Sequence, residues 1–147
     1  MTLKDILLEK GYAVHTIGPE ATLEDVVQTL VRHNCGSLVV CEQTTVGDEP
    51  QVVGIITERD ILRACAARKA PLDKQRVADV MTGNLITGSP TDSVEDTMGL
   101  LTEKRIRHLP ILEEGRLRGI ISIGDVVKAQ HQQMAVENHY LKSYIQG

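Results

Sequence analysis

Two short stretches of the chain set a hydroxyl three positions ahead of a carboxylate: Thr57-Glu58-Arg59-Asp60 and Ser122-Ile123-Gly124-Asp125. Each follows an apolar run with a glycine three residues before the hydroxyl, "GIIT" from Gly54 and "GIIS" from Gly119. An apolar strand followed at once by a helix cap puts that carboxylate at the carboxyl end of the strand and the amino end of the helix. In β/α layers such junctions form ligand clefts. Unpaired backbone N–H groups and the helix dipole favour a phosphate there. An aspartate at the same edge can accept hydrogen bonds from both hydroxyls of a ribose. Hydroxyl, helix end and carboxylate together read as a nucleoside phosphate site. Helix capping alone also accounts for the pattern, since Ser/Thr-x-x-Asp is the sequence of a reciprocal cap. Thr22 to Asp25 and Ser93 to Asp96 show it too, and for those two pairs capping is the whole expectation.

The doubling extends along the chain. An offset of 71 residues aligns Thr16 with Thr87, Pro19 with Pro90, Asp25 with Asp96, Leu30 with Leu101 and Leu38 with Leu109; beyond that the offset is 65, aligning Gly54 with Gly119 and Asp60 with Asp125. The six extra residues of the first copy fall in "EQTTVGDEPQ", which reads as a loop. In each copy a short extended piece ("AVHTI", "NLITG") meets a proline. A helix follows, with a buried stripe of Leu23, Val26, Val27, Leu30 and Val31 in the first copy and of Val94, Met98 and Leu101 in the second. Two β-rich runs and a second helix complete the unit: strand, helix, strand, strand, helix. The second copy's strands are joined by "EEG", a hairpin-like turn. A unit this small buries too little surface alone, so the two are expected to pack with pseudo-twofold symmetry in an α/β (α+β) fold. The expected division is residues 1–70 for the first repeat with a short leading helix (Leu3, Ile6, Leu7), 71–84 for a linker, 85–130 for the second repeat and 131–147 for a helical tail. "VADVM" in the linker region reads as a turn of helix.

Composition narrows the function. The 147 residues carry a net charge of −4 and include neither Phe nor Trp, which argues against nucleic acid as the main partner. No run of apolar residues reaches membrane-spanning length and the amino terminus lacks a signal-peptide pattern, so the expectation is a cytoplasmic protein without a membrane partner. Three cysteines, Cys35, Cys41 and Cys65, with no C-x-x-C read as reduced thiols rather than a disulfide or zinc framework. No metal site is expected. Neither a nucleophile elbow nor a phosphate-binding G-K-[ST] is present, and no enzyme is expected. His131 and His139 read as a solvated helix face.

The paired pattern of glycine, apolar residue, any residue, Ser or Thr, two residues and Asp resembles the signature of CBS domains, with further matches in "VADVMT" and "RIRHLPIL"; the final "YLKSYIQG" is similar to the tail of small bacterial proteins made of one CBS pair. The resemblance implies two CBS repeats forming one Bateman module, which commonly dimerises into a disc and binds AMP, ADP, ATP, S-adenosylmethionine or NAD(H) between repeats. It implies that Asp60 and Asp125 hold ribose hydroxyls, that Thr57 and Ser122 bond ribose or phosphate, and that His15, Thr16, Gly36, Ser37 and Thr87 lie around the adenine. Arg59, Arg107 and His108 are the expected phosphate contacts, the last two facing the Asp60 cleft. Each has a bland alternative: a solvated surface for the arginines, a satisfied strand residue for His108. The implied role is a regulatory module that senses energy or redox state through AMP, ATP or NAD(H), requires no cofactor, forms a homodimer and signals to an unknown target protein by a shift in population. The alternative is a ligand-free interaction or scaffold module. A dimer surface is expected on the second helix, where Ile61, Leu62 and Cys65 either face a partner or finish the internal core.

Overall fold

The computed structural model describes residues 1–43, 47 and 49–146; the loop expected within "EQTTVGDEPQ" falls in part outside them. In chain order the elements are α1 (Leu3–Lys10), β1 (Thr16–Ile17), α2 (Leu23–His33), β2 (Ser37–Glu42), β3 (Gln51–Thr57), α3 (Glu58–Ala67), a 3-10 turn (Leu72–Lys74), α4 (Val77–Val80), α5 (Val94–Lys104), β4 (His108–Glu113), β5 (Arg116–Ser122) and α6 (Ile123–Gln146). They group into two units. One is Ala13–Ile86, the other Met1–Tyr12 together with Thr87–Gly147.

In the first unit β2 is central, parallel to β1 and antiparallel to β3. Helix α2 starts at a reciprocal cap: Asp25 N–H donates to Thr22 Oγ1 and Thr22 N–H to Asp25 Oδ2. It carries acids in its first turn and Arg32 and His33 in its last, the order the helix dipole favours. Leu23, Val26 and Leu30 of α2 meet Leu38, Val40, Ile56, Ala64 and Val77 in the core. The buried edge is narrower than the expected stripe, for Val31 is 75% exposed. Spacing of i, i+3, i+7 covers a sheet this narrow, and the residue one step round the helix overhangs it.

The second unit repeats the plan with α5, β4 and β5. Its hairpin turns at Glu114 and Gly115, both at positive φ (51° and 76°), as a two-residue turn matched to strand twist requires. Both hairpins are irregular at the same step, Val40/Cys41 and Ile111/Leu112. On α5 the buried stripe is Val94, Thr97 and Leu101. Thr97 takes the place expected for Met98, its hydroxyl satisfied by donating to Ser93 O at 2.8 Å. The expected strand "NLITG" contributes only a parallel bridge, Gly88 to Ile111. The bond that Val39 N–H gives to His15 O in the first unit has no counterpart here, because Pro110 stands in place of Val39 and carries no N–H.

The compact units set where the leading and linking segments belong. The leading helix packs in the unit of the second repeat, and the linker helix packs in the unit of the first. The two attachments use the same hydrogen bonds: Val77 N–H to Ala21 O and Ala78 N–H to Pro19 O in one unit, Leu3 N–H to Asp92 O and Lys4 N–H to Pro90 O in the other. Each attachment ends on the strand glycine. A Cβ at Gly54 would stand 2.6 Å from Met81 Sδ and 2.9 Å from Thr82 O, and one at Gly119 would stand 2.6 Å from Leu7 Cδ2. Only glycine lets the covering segment come this close.

Candidate functional site

At the carboxyl end of β3 the chain passes into α3 without a loop. Thr57 is the N-cap, its amide donating to Asp60 Oδ2 at 2.9 Å while Asp60 N–H donates to Thr57 Oγ1 at 3.4 Å; the Thr57 hydroxyl also donates to Oδ2, at 3.2 Å. Every hydrogen bond that the Asp60 side chain makes among the described residues goes to Oδ2. The residue is only 9% exposed. No fully buried side-chain oxygen or nitrogen among the described residues lacks a partner, so Oδ1, which has none, is at least partly accessible.

Around this carboxylate the sheet sets its neighbours. Ser37 is the register partner of Thr57 and is itself buried. The Gly36 carbonyl accepts from Glu58 N–H at 3.1 Å, tying the start of β2 to the first turn of α3. Across β2, Thr16 pairs with Val39 and the His15 carbonyl accepts from Val39 N–H. β1 and β3 are therefore two strand spacings apart, about 10 Å, the length of a nucleoside. The His15 ring stacks on His33, centroids 3.9 Å apart, and Thr16 is exposed. Arg59 extends from the first turn of α3 into solvent. The structure thus brings Asp60, Thr57, Ser37, Gly36 and Arg59 to one junction, with His15 and Thr16 on the far side of the same sheet edge.

The matching junction of the second unit has the same cap with a lysine added to it. Ser122 N–H donates to Asp125 Oδ2 at 2.9 Å and Asp125 N–H to Ser122 Oγ at 3.1 Å. The ammonium of Lys10, from α1, adds an ion pair to the same Oδ2 at 2.6 Å and donates to Ile120 O at 2.8 Å. Burial alone would raise the Asp125 pKa; the Lys10 hydrogen bond and charge together with the Ser122 N–H outweigh it and hold the carboxyl below its ordinary value. Arg107 and His108 lie at this junction within their own unit: the Arg107 carbonyl accepts from Ile123 N–H at 2.9 Å and His108 is the register partner of Ser122. Thr87 is exposed just before the bridge at Gly88.

Sequence reasoning missed Lys10, which no local pattern ties to Asp125. The swapped attachment had a visible signal: Leu3-Lys4-Asp5-Ile6-Leu7 and Val77-Ala78-Asp79-Val80-Met81 share one pattern at an offset of 74. At the other caps, Asp25 returns its bond to Thr22, whereas Asp96 donates its N–H to Ser93 Oγ without a returning bond from its carboxylate. Among the described residues no group of three or more His, Cys, Asp or Glu could hold a metal ion, and no helix is long and apolar enough to cross a membrane.

Known proteins share this sequence pattern and fold. The family model for the CBS domain matches residues 2–67 and 77–132. The CBS domain-containing protein CBSX3, mitochondrial, of Arabidopsis thaliana is 36% identical over 99% of this chain and 72% of its own length. The crystal structure of the CBS-domain containing protein ATU1752 from Agrobacterium tumefaciens is 40% identical, with a TM-score of 0.81 over 88% of this chain and 99% of that one. The CBS domain pair of MJ0100, solved with 5'-methylthioadenosine and S-adenosylmethionine, shares the fold at a TM-score of 0.71 and 22% identity, over 90% of this chain and 98% of that one.

Proposed function

The chain belongs to the CBS-domain family, and from that premise we propose that it is a regulatory module that binds an adenosine nucleotide at the Asp60 junction and reports its occupancy to a partner protein. The observation that carries the reading is the contrast between the two aspartates. Each aspartate spends only Oδ2 on partners among the described residues, but Asp60 Oδ2 holds its own cap alone, whereas Asp125 Oδ2 also holds the Lys10 ammonium. A ribose offers two hydroxyl donors, and each charge-assisted bond to a carboxylate contributes about 1.5–3 kcal/mol. Asp60 is the carboxylate whose charge no lysine already neutralises, so its acceptor strength is the less spent. Ser37 and Thr57 supply further polar contacts, and Arg59 a cation for phosphate. Support for an adenosine ligand comes from the family and from the fold shared with MJ0100, which holds two adenosine compounds. AMP, ADP, ATP and NAD(H) are the candidates, acting as regulatory ligands through a difference in affinity for two conformations.

A second reading, a ligand-free interaction module, is favoured by the completeness of the cap at Asp60. One experiment separates them. Thermal shift and calorimetry are run with AMP, ADP, ATP, NADH and S-adenosylmethionine on the wild type, Asp60→Asn and Asp125→Asn. A ligand bound only by the native state must raise its melting temperature. The expected result is that at least one compound does so, that Asp60→Asn weakens it by about tenfold or more, and that Asp125→Asn weakens it less. If no compound stabilises the wild type, the nucleotide reading fails and the interaction module stands; if a compound binds wild type and Asp60→Asn alike, the Asp60 junction is not its site.

A further inference from the structure

Helix α6 continues well past the unit that it starts in. Val126 and Ala129 are its buried residues, and every residue from His131 to Gln146 is exposed. Exposed apolar side chains recur at sevens, Val127, Met134 and Leu141, and a set four residues further on holds His131, Asn138 and Ile145. Steps of four and three in alternation give the 3.5-residue repeat of a two-helix seam, with Val127, Met134 and Leu141 at position d and His131, Asn138 and Ile145 at position a. Val127 lies about 100° round the helix from Val126, so this seam is separate from the face that α6 packs on its own unit. Its apolar members are more than half exposed, from 51% at Val127 to 80% at Ile145.

We propose that this stretch of α6 pairs in parallel with the same stretch of a second copy of the chain. The flanking charges choose that occupant. Glu137 stands at position g and Lys142 at position e. In a parallel pair the g residue of one helix faces the e residue five places on in the other, so twofold symmetry sets Glu137 against Lys142 twice. An antiparallel pair would set g against g and e against e, placing like charges together. Asn138 at position a fits the same arrangement: a single asparagine in the seam fixes a two-stranded parallel register at some cost in stability.

Length alone would make a helix pair this short marginal. Nucleation of α6 is already complete, however, because its first turns are capped by Ser122 and packed through Val126 and Ala129, and elongation from a formed turn is the easy step. Val136 and Tyr140 fall on the far side of the helix and lack both the spacing of seven and the charge pair.

The test uses sedimentation equilibrium of the full chain over a range of concentrations. The wild type is expected to be a dimer. Glu137→Lys and Lys142→Glu, each made alone, place like charges across the seam twice and are expected to weaken the dimer by on the order of tenfold, while the double swap restores it. Met134→Cys, made in a Cys65→Ser background, is expected to form a disulfide between copies under mild oxidation, which a parallel in-register seam requires. The proposal is overturned if the wild type is monomeric throughout, if the two charge changes add without rescue, or if Met134→Glu with Leu141→Glu leaves the dimer intact. That last result would place any contact between copies elsewhere, for example at Leu62 of α3, which is 70% exposed.

Discussion

Asp60 and Asp125 carry one capping pattern in two electrostatic states. The caps were legible in the sequence because a hydroxyl and an acid three residues apart interact through their own turn of backbone, whatever the rest of the chain does. The difference between them was not, for Lys10 reaches Asp125 across 115 positions and only the packing of α1 brings it there. The ion pair has a signed consequence. Since the Asp125 pKa is lowered in the folded state, its stabilisation is present above the unfolded carboxylate value of about 4 and is lost as pH falls through the lowered folded value. With side chains about a quarter to a third exposed, such a pair contributes about 0.5–1 kcal/mol. Lys10→Met is expected to destabilise the chain by that amount at neutral pH, with the gap from wild type closing in acid, and to move the Asp125 carboxyl titration upward in carbon-13 spectra. An unmoved titration would show that Lys10 does not hold the carboxylate in solution. The cysteines give a second check at this scale. Cys65 is exposed and Cys41 is half-buried with its thiol pKa raised by burial, so at neutral pH a thiolate-selective reagent should label Cys65 before Cys41. Labelling in the opposite order would contradict the burial of β2.

At the scale of elements, helices and hairpins were readable where the pattern is local: the capping signals and the turn at Glu114 and Gly115. The final stretch, with no Gly or Pro between Gly124 and Gly147, allowed one long helix or two broken ones; it is one helix that runs through the expected boundary at 130/131. What escaped was the width of the buried faces, because Val31 and Met98 look as apolar as their neighbours and only the sheet decides which of them it covers. Periodicity passed over Thr97 for the opposite reason, since a hydroxyl reads as surface until its bond to Ser93 O is seen. The two repeated glycines differ in what they face, and this orders two substitutions. At Gly119 an added methyl meets the end of the flexible Leu7 side chain; at Gly54 it meets Met81 and also the Thr82 carbonyl. That carbonyl accepts from Ile55 N–H, and Thr82 N–H donates back to Ile55 O, so moving it breaks a paired bridge. Overpacking typically costs about 1–3 kcal/mol, and Gly54→Ala is expected to cost more than Gly119→Ala in urea unfolding. Equal costs would mean that the bridge yields as readily as a leucine rotamer.

For the whole molecule, the duplication was plain in the sequence while the assignment of its connecting pieces was not. Leu3, Ile6 and Leu7 announce burial, but periodicity names no partner, and proximity in sequence suggested the first repeat. The hydrogen bonds from Leu3 and Lys4 to Asp92 and Pro90 assign α1 to a unit whose other strands and helices lie far along the chain, while those from Val77 and Ala78 to Ala21 and Pro19 keep α4 with the stretch that precedes it. A segment that completes one unit should govern the local opening of that unit. Leu7 is 1% exposed and rests on Gly119, so Leu7→Ala removes buried side chain worth about 2–5 kcal/mol. Hydrogen exchange resolves where the loss falls, because amides report local as well as global opening. β4 and β5 are expected to lose more protection than β2 and β3, although Leu7 stands closer in sequence to the latter pair. The reverse order of loss would return α1 to the first repeat, and with it the origin of the lysine that holds Asp125.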